Sequence, residues 1–84
     1  LYLMRGSTRL EEAEDVLGIE FDAEDVETLN GFLIDQLGHL PEDNEEIEII
    51  YKGYSFKSID IHEKMIKQVK VEKRKEEKED VRTQ

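Results

Sequence analysis

An α+β domain is the fold class this sequence predicts, with two helices packed on a small, mainly antiparallel sheet in the order β-α-α-β-β-β. Three observations point there. Between Val26 and Pro41, the residues Val26, Leu29, Leu33 and Leu37 recur at spacings of three and four, with Phe32 and Ile34 widening the stripe, which is the pattern of a helix with one buried side. Between Ile47 and Val71 apolar residues instead tend to alternate with polar ones, the period of a half-buried strand. The 84 residues suit one small core and leave no room for a second domain.

Taken in order, Leu1 to Arg5 is apolar through Met4 without alternation and reads as a strand covered on both faces or lying inside a sheet, ended by Gly6. Thr8 and Glu11 have capping-box spacing, and Leu10, Ala13, Val16 and Leu17 follow as a first helix closed by Gly18. Ile19 and Phe21 make a short apolar connection, and Asp22 is placed to cap a turn through Ala23 to Asp25 that leads into the second helix. That helix stops at Gly38, and Pro41 forbids its resumption. Asn30-Gly31 is also the strongest hairpin dipeptide, but its flanks do not alternate as strands do. The helix is retained, with Gly31 expected to let it lie close against the sheet. Glu42 to Glu46 is a polar turn. Ile47, Ile49 and Tyr51 begin a strand, Lys52-Gly53 turns it, and the returning strand has Tyr54 and Phe56 in one phase but Ile59 and Ile61 in the other. A bulge near Lys57 and Ser58 would account for the change. His62-Glu63-Lys64 is the next turn, and Ile66, Val69 and Val71 face inward from the last strand.

Charge divides the chain. The net charge is -10, and from Leu10 to Tyr51 there are fifteen Asp or Glu with no Lys or Arg, whereas Lys52 to Val71 holds five lysines. Such a field disfavours nucleic acid and anionic lipid as partners. Residues 72–84 contain Val81 as their one hydrophobic residue among balanced charges, and read as a flexible tail. Without cysteine there is no disulfide framework, thiolate metal site or cysteine nucleophile. Apolar runs are far shorter than the roughly 20 residues a membrane span needs, so no direct membrane insertion is expected. The chain opens at Leu1, with Met4 too far in for a natural start, so a segment of a longer protein is expected.

Candidate chemistry is sparse. His39 and His62 stand 23 positions apart without a histidine or cysteine at ligand spacing, and read as surface histidines. The acidic stretch Glu42 to Glu46 has the oxygen donors of a hard-cation site but not the calcium-loop pattern. Glycines 6, 18, 31, 38 and 53 form no phosphate-binding motif, and no G-x-S-x-G surrounds Ser7, Ser55 or Ser58. Tyr51, Tyr54 and Phe56 suit core packing better than stacking on a ligand ring. An anion would dock on the basic half, at Lys52, Lys57 and Lys64. No catalytic, cofactor or metal residue is assigned, and no enzyme activity or cofactor is expected.

From Tyr2 to Val71 the chain resembles the CorC/HlyC-type transporter-associated domain, found after paired CBS domains in bacterial membrane proteins. The marks are Arg5-Gly6-Ser7 with Leu10, then Leu17-Gly18-Ile19, then Thr28-Leu29-Asn30-Gly31-Phe32 running to Leu37-Gly38-His39-Leu40-Pro41. Phe56, Ile59, Ile61, Ile66, Val69 and Val71 complete them. Two turns depart from the family: Asn44-Glu45 stands where glycine-aspartate is expected, and His62-Glu63 where aspartate-glycine is expected. The resemblance implies a transporter-associated domain over 1–71, a charged tail over 72–84, and a fold akin to a subdomain of p-cresol methylhydroxylase-type FAD-binding proteins. It also implies a non-catalytic accessory role in a hemolysin-like, CBS-domain transport protein, modulating magnesium or cobalt efflux as a cytoplasmic domain of an inner-membrane protein. CBS domains and the membrane domain of the same protein are the implied partners, with self-association a further option. The alternative function is a module that binds FAD, an adenine nucleotide or a divalent cation.

Overall fold

Six elements follow in the expected order: β1 (Tyr2–Arg5), α1 (Leu10–Leu17), α2 (Leu29–Leu37), β2 (Glu48–Tyr51), β3 (Tyr54–His62) and β4 (Met65–Lys73). They are seen in a computed structural model that describes residues 1–74. The strands form one sheet in the order β1-β4-β3-β2, and each neighbouring pair is antiparallel. Leu10, Ala13 and Leu17 from α1 and Leu29, Phe32 and Leu33 from α2 share a single core with Phe56, Ile61, Ile66, Val69 and Val71 of the sheet. β4 runs to Lys73, past the boundary expected at Val71, and residues 75–84 of the expected tail lie outside the described residues.

The first strand corrects its sequence reading. β1 pairs with β4 alone and is an edge strand, with Leu1 and Leu3 75% and 68% exposed. Its lack of alternation reflects an uncovered face, not a doubly covered one.

Both helices begin differently from expectation. Arg9, not Thr8, is the N-cap of α1 and makes no side-chain cap bond, so the Thr8–Glu11 capping box does not form. The backbone does that work instead: Arg9 and Thr28 form an antiparallel bridge, the Leu10 N–H donates to Glu27 O at 2.8 Å, and the Leu29 N–H donates to Thr8 O at 2.9 Å. The two helix starts thus satisfy each other's orphan donors. Asp22 does not lead into α2. Thr28 caps it, its Oγ1 accepting the Gly31 N–H at 3.1 Å. At the far ends, Gly18 and Gly38 take φ of 73° and 90°, the left-handed stops the sequence predicts. Val16, expected inward, is exposed, because an eight-residue helix buries only the Leu10, Ala13 and Leu17 stripe.

The bulge on β3 lies slightly beyond its expected place, and it has a counterpart. Ser58 pairs with Val69, Asp60 with Gln68, and Ile61 with Ile66, so Ile59 is an extra residue on β3 and Lys67 an extra residue on β4. Each strand skips once. The two insertions cancel, which returns Ile61 and Ile66 to the core opposite one another while Ile59, expected inside, is half exposed. A signal was present in both strands, since Ile66 and Val69 are three apart where an even strand would put them two or four.

Two hairpin turns each place both central residues at positive φ, Lys52 and Gly53 at 48° and 86°, Glu63 and Lys64 at 55° and 65°. This matches the strand twist, as the primed turns do. In the second turn neither residue is a glycine, and an L side chain in that region costs roughly 1 kcal/mol. Lys64→Gly is therefore expected to raise stability by about 1 kcal/mol at no cost to the fold, measured by urea unfolding. An unchanged or lowered midpoint would show that the Lys64–Glu42 ion pair, at 3.8 Å, outweighs the strain.

Candidate functional site

The aromatic candidates prove to be core. Phe32 makes edge-on contact with Phe21 at 4.8 Å and with Tyr51 at 4.9 Å between ring centroids, and Phe21 stacks parallel to Tyr51 at 5.7 Å. The tyrosine hydroxyls at the edge of this cluster are used on backbone. Tyr51 accepts the Asp22 N–H at 2.8 Å, and Tyr54 donates to Leu17 O at 3.1 Å. Together they pin the α1–α2 connection to the β2–β3 hairpin. Phe21, which the sequence placed only as part of a connection, is the ring that joins the two halves.

The polar candidates remain apart. His39 and His62 are both exposed; the Nδ1 of His39 lies 3.0 Å from its neighbour's carbonyl at Leu40, and the Nε2 of His62 lies 4.0 Å from Glu63. In the acidic turn Glu45 accepts the Glu42 N–H at 2.9 Å, and Asn44 takes the left-handed conformation with φ 66°. Among the described residues no group of three or more His, Asp or Glu is placed to hold a metal ion. The lysine trio expected to take an anion is dispersed. Lys52 and Lys64 occupy turns at opposite ends of β3, and Lys57 lies mid-strand between Glu48 and Lys70. Lys52 is already committed, to Asp22 at 3.0 Å and to Glu20 O at 2.7 Å, and the Asp22 hydrogen bond holds its pKa above the ordinary lysine value.

What the fold does bring together is the pair of motif segments Arg5-Gly6-Ser7 and Thr28-Leu29-Asn30-Gly31, at the β4 bulge. Beyond Arg5 the first strand no longer covers β4, and the bulge leaves backbone groups to be satisfied. The Gly6 N–H donates to Lys67 O at 2.8 Å, the Asn30 N–H to Gly6 O at 2.8 Å, and the Ile66 N–H to Asn30 Oδ1 at 2.7 Å. Gly6 is the close-approach glycine. A Cβ there would stand 1.8 Å from the Ile66 carbonyl oxygen, whereas a Cβ on Gly31 would meet Thr28 and Val26 at ordinary contact of 3.4 and 3.5 Å, so Gly31 is not what brings α2 close to the sheet.

Three clefts of the described surface can be compared. One of about 450 Å³ sets Glu46 and Glu48 against Lys57, and one of about 210 Å³ sets Glu11, Glu14 and Glu27 against Arg9. The third, about 320 Å³, opens beside the Gly6 junction, and its walls include Arg5, Ser7, Asn30 and Lys67 but no carboxylate. The one hydroxyl in the wall of the first cleft, Ser58, is used on backbone, its Oγ accepting the Ile47 N–H at 3.2 Å and donating to Glu45 O at 3.3 Å. Among the described residues no helix is long and apolar enough to cross a membrane.

Comparison with known proteins agrees with this geometry. A family model described as "Transporter associated domain" (CorC_HlyC) matches residues 1–75. The "Magnesium and cobalt efflux protein CorC" of Salmonella typhimurium is 36% identical over 56 residues, a stretch covering 67% of this chain and 18% of that protein. The chain therefore spans a small part of the curated relatives it matches. The solved CorC_HlyC domain from Haemophilus ducreyi superimposes with a TM-score of 0.75 at 31% identity over 89% of both chains. A hemolysin domain from Enterococcus faecalis superimposes at 0.82 over 88% of both, with 22% identity, a likeness of fold alone.

Proposed function

Because the chain belongs to the CorC_HlyC family of transporter associated domains, we propose that it is a non-catalytic accessory domain of a membrane transport protein. In this reading it sits on the cytoplasmic side beside CBS domains and modulates efflux of a divalent cation such as magnesium or cobalt. The family match over 1–75 carries the reading, and the name of the Salmonella relative supplies the transported ions. The chemistry on the surface is in keeping with it. Thr28, Asn30, Tyr51, Tyr54 and Ser58 all spend side-chain hydrogen bonds on backbone groups, as polar residues do when they hold a fold together. For contact with a neighbouring domain, the open edge of β1, where Leu1 and Leu3 are exposed, is the place we favour.

The test is an NMR titration of the chain with the CBS pair of its own parent protein, followed by magnesium, ATP and FAD. Resonance shifts confined to β1 and its surroundings on adding the CBS pair are the expected result. Absence of any shift with the CBS pair, combined with saturable site-specific shifts from one of the three small molecules, would replace this reading with a ligand-sensing one.

A further inference from the structure

Of the three clefts, the two with carboxylates in their walls follow the charge of the whole chain, and the third runs against it. On a protein of net charge -10, the cleft beside the Gly6 junction has two cations in its lining, Arg5 and Lys67, and no acid. Neither cation makes an ion pair among the described residues. Asn30 Oδ1 accepts the Ile66 N–H, and among the described residues its amide NH₂ makes no hydrogen bond, so two donors are left over. Ser7 adds an exposed hydroxyl. The N–H groups at the start of α2 are already bonded, to Thr8 O, Gly6 O and Thr28, so what faces the cleft as donor is side chain. We propose that this cleft is a binding site for a small oxyanion, a carboxylate or phosphate group, held by Arg5 and Lys67 with Ser7 and Asn30 as neutral donors. The bulge brings the two cations to one cleft, since Lys67 is the extra residue of β4 and directly precedes Gln68, the cross-strand partner of Arg5 at the end of β1. Met65, 46% exposed on the same wall, suits an anion with a short apolar body.

The probes are sodium phosphate and, separately, sodium acetate, each added to the isotope-labelled 84-residue chain at constant ionic strength set with chloride. Saturable NMR shifts confined to Gly6, Ser7, the Asn30 side-chain amide and Lys67 are expected, and the tighter of the two salts identifies the group recognised. Arg5→Gln and Lys67→Gln are each expected to weaken binding about fivefold, and both together by about tenfold or more. Lys57→Gln, outside the cleft, is expected to leave it unchanged. Arg5 and Lys67 are exposed, so the variants should melt within about 3 °C of the parent. Shifts that grow without saturation, that chloride reproduces, or that persist in the double variant would overturn the proposal. A chain that engages the CBS pair but ignores both anions would remove this site and leave the accessory role standing.

Discussion

Gly6→Ala is expected to destabilise the domain by about 3 kcal/mol or more. The new methyl would sit 1.8 Å from the Ile66 carbonyl oxygen and 2.9 Å from its carbon, and both are backbone atoms that cannot swing aside. Either the β1–α1 connection or the β4 bulge must then move, and the Gly6–Lys67 and Asn30–Gly6 hydrogen bonds are stretched with it. Overpacking of this kind costs about 1–3 kcal/mol, and each weakened backbone bond adds about 1 kcal/mol. Gly31→Ala is the control. It adds the same methyl to a helix where the contacts are ordinary, so it is expected to be neutral or to stabilise by up to about 1 kcal/mol. Urea unfolding of both variants decides the matter; a Gly6→Ala midpoint close to the parent, or a Gly31→Ala loss as large, would show that the junction is not where the close approach lies.

Phe32→Ala should remove about 3–5 kcal/mol, most of what a domain this small has to spare. Its ring is fully buried and is the centre of the aromatic cluster, within 4.8 Å of Phe21 and 4.9 Å of Tyr51. Deleting it leaves a cavity bordered by Phe21, by Tyr51 of β2 and by Phe56 of β3, and it removes the surface against which Phe21 anchors the α1–α2 connection. Thermal unfolding followed by circular dichroism is expected to show a midpoint lowered by about 15 °C or more. Phe32→Leu, which refills part of the space, is expected to recover over half the loss. If alanine and leucine behave alike, the edge-on aromatic contacts rather than the filled volume carry the stability.

Several features were legible in the chain because they are local. Gly18 and Gly38 mark helix ends through backbone freedom at their own positions, and the Lys52-Gly53 turn is written in two residues. The helix over Asn30-Gly31 was readable from the spacing of Leu29, Leu33 and Leu37, despite the hairpin dipeptide. Thr8 fails as a cap for the opposite reason. Its spacing to Glu11 is a genuine local signal, but the Arg9–Thr28 bridge starts the helix one residue later and gives the Leu10 N–H a backbone partner, Glu27 O, from a segment far along the chain.

The candidate site shows the same division. Arg5-Gly6-Ser7 and Thr28-Leu29-Asn30-Gly31 stood out as motif segments before their purpose was visible, and nothing near Asn30 in sequence hints that its side chain completes a strand near residue 66. The lysines chosen for an anion, Lys52, Lys57 and Lys64, share a stretch of sequence but not a place on the surface. Lys67, which lines the cleft with Arg5, is not one of them.

By itself, then, the order of residues determined the α+β class, the six elements, both glycine stops and the family, since hydrophobic period and turn preference act within a few residues. Only the tertiary structure decided that β1 is an edge, that bulges on β3 and β4 cancel, and that Gly6, Asn30 and Ile66 meet. Those outcomes depend on which backbone donors and acceptors are left over once distant segments have paired, and that remainder exists only when the whole sheet is assembled.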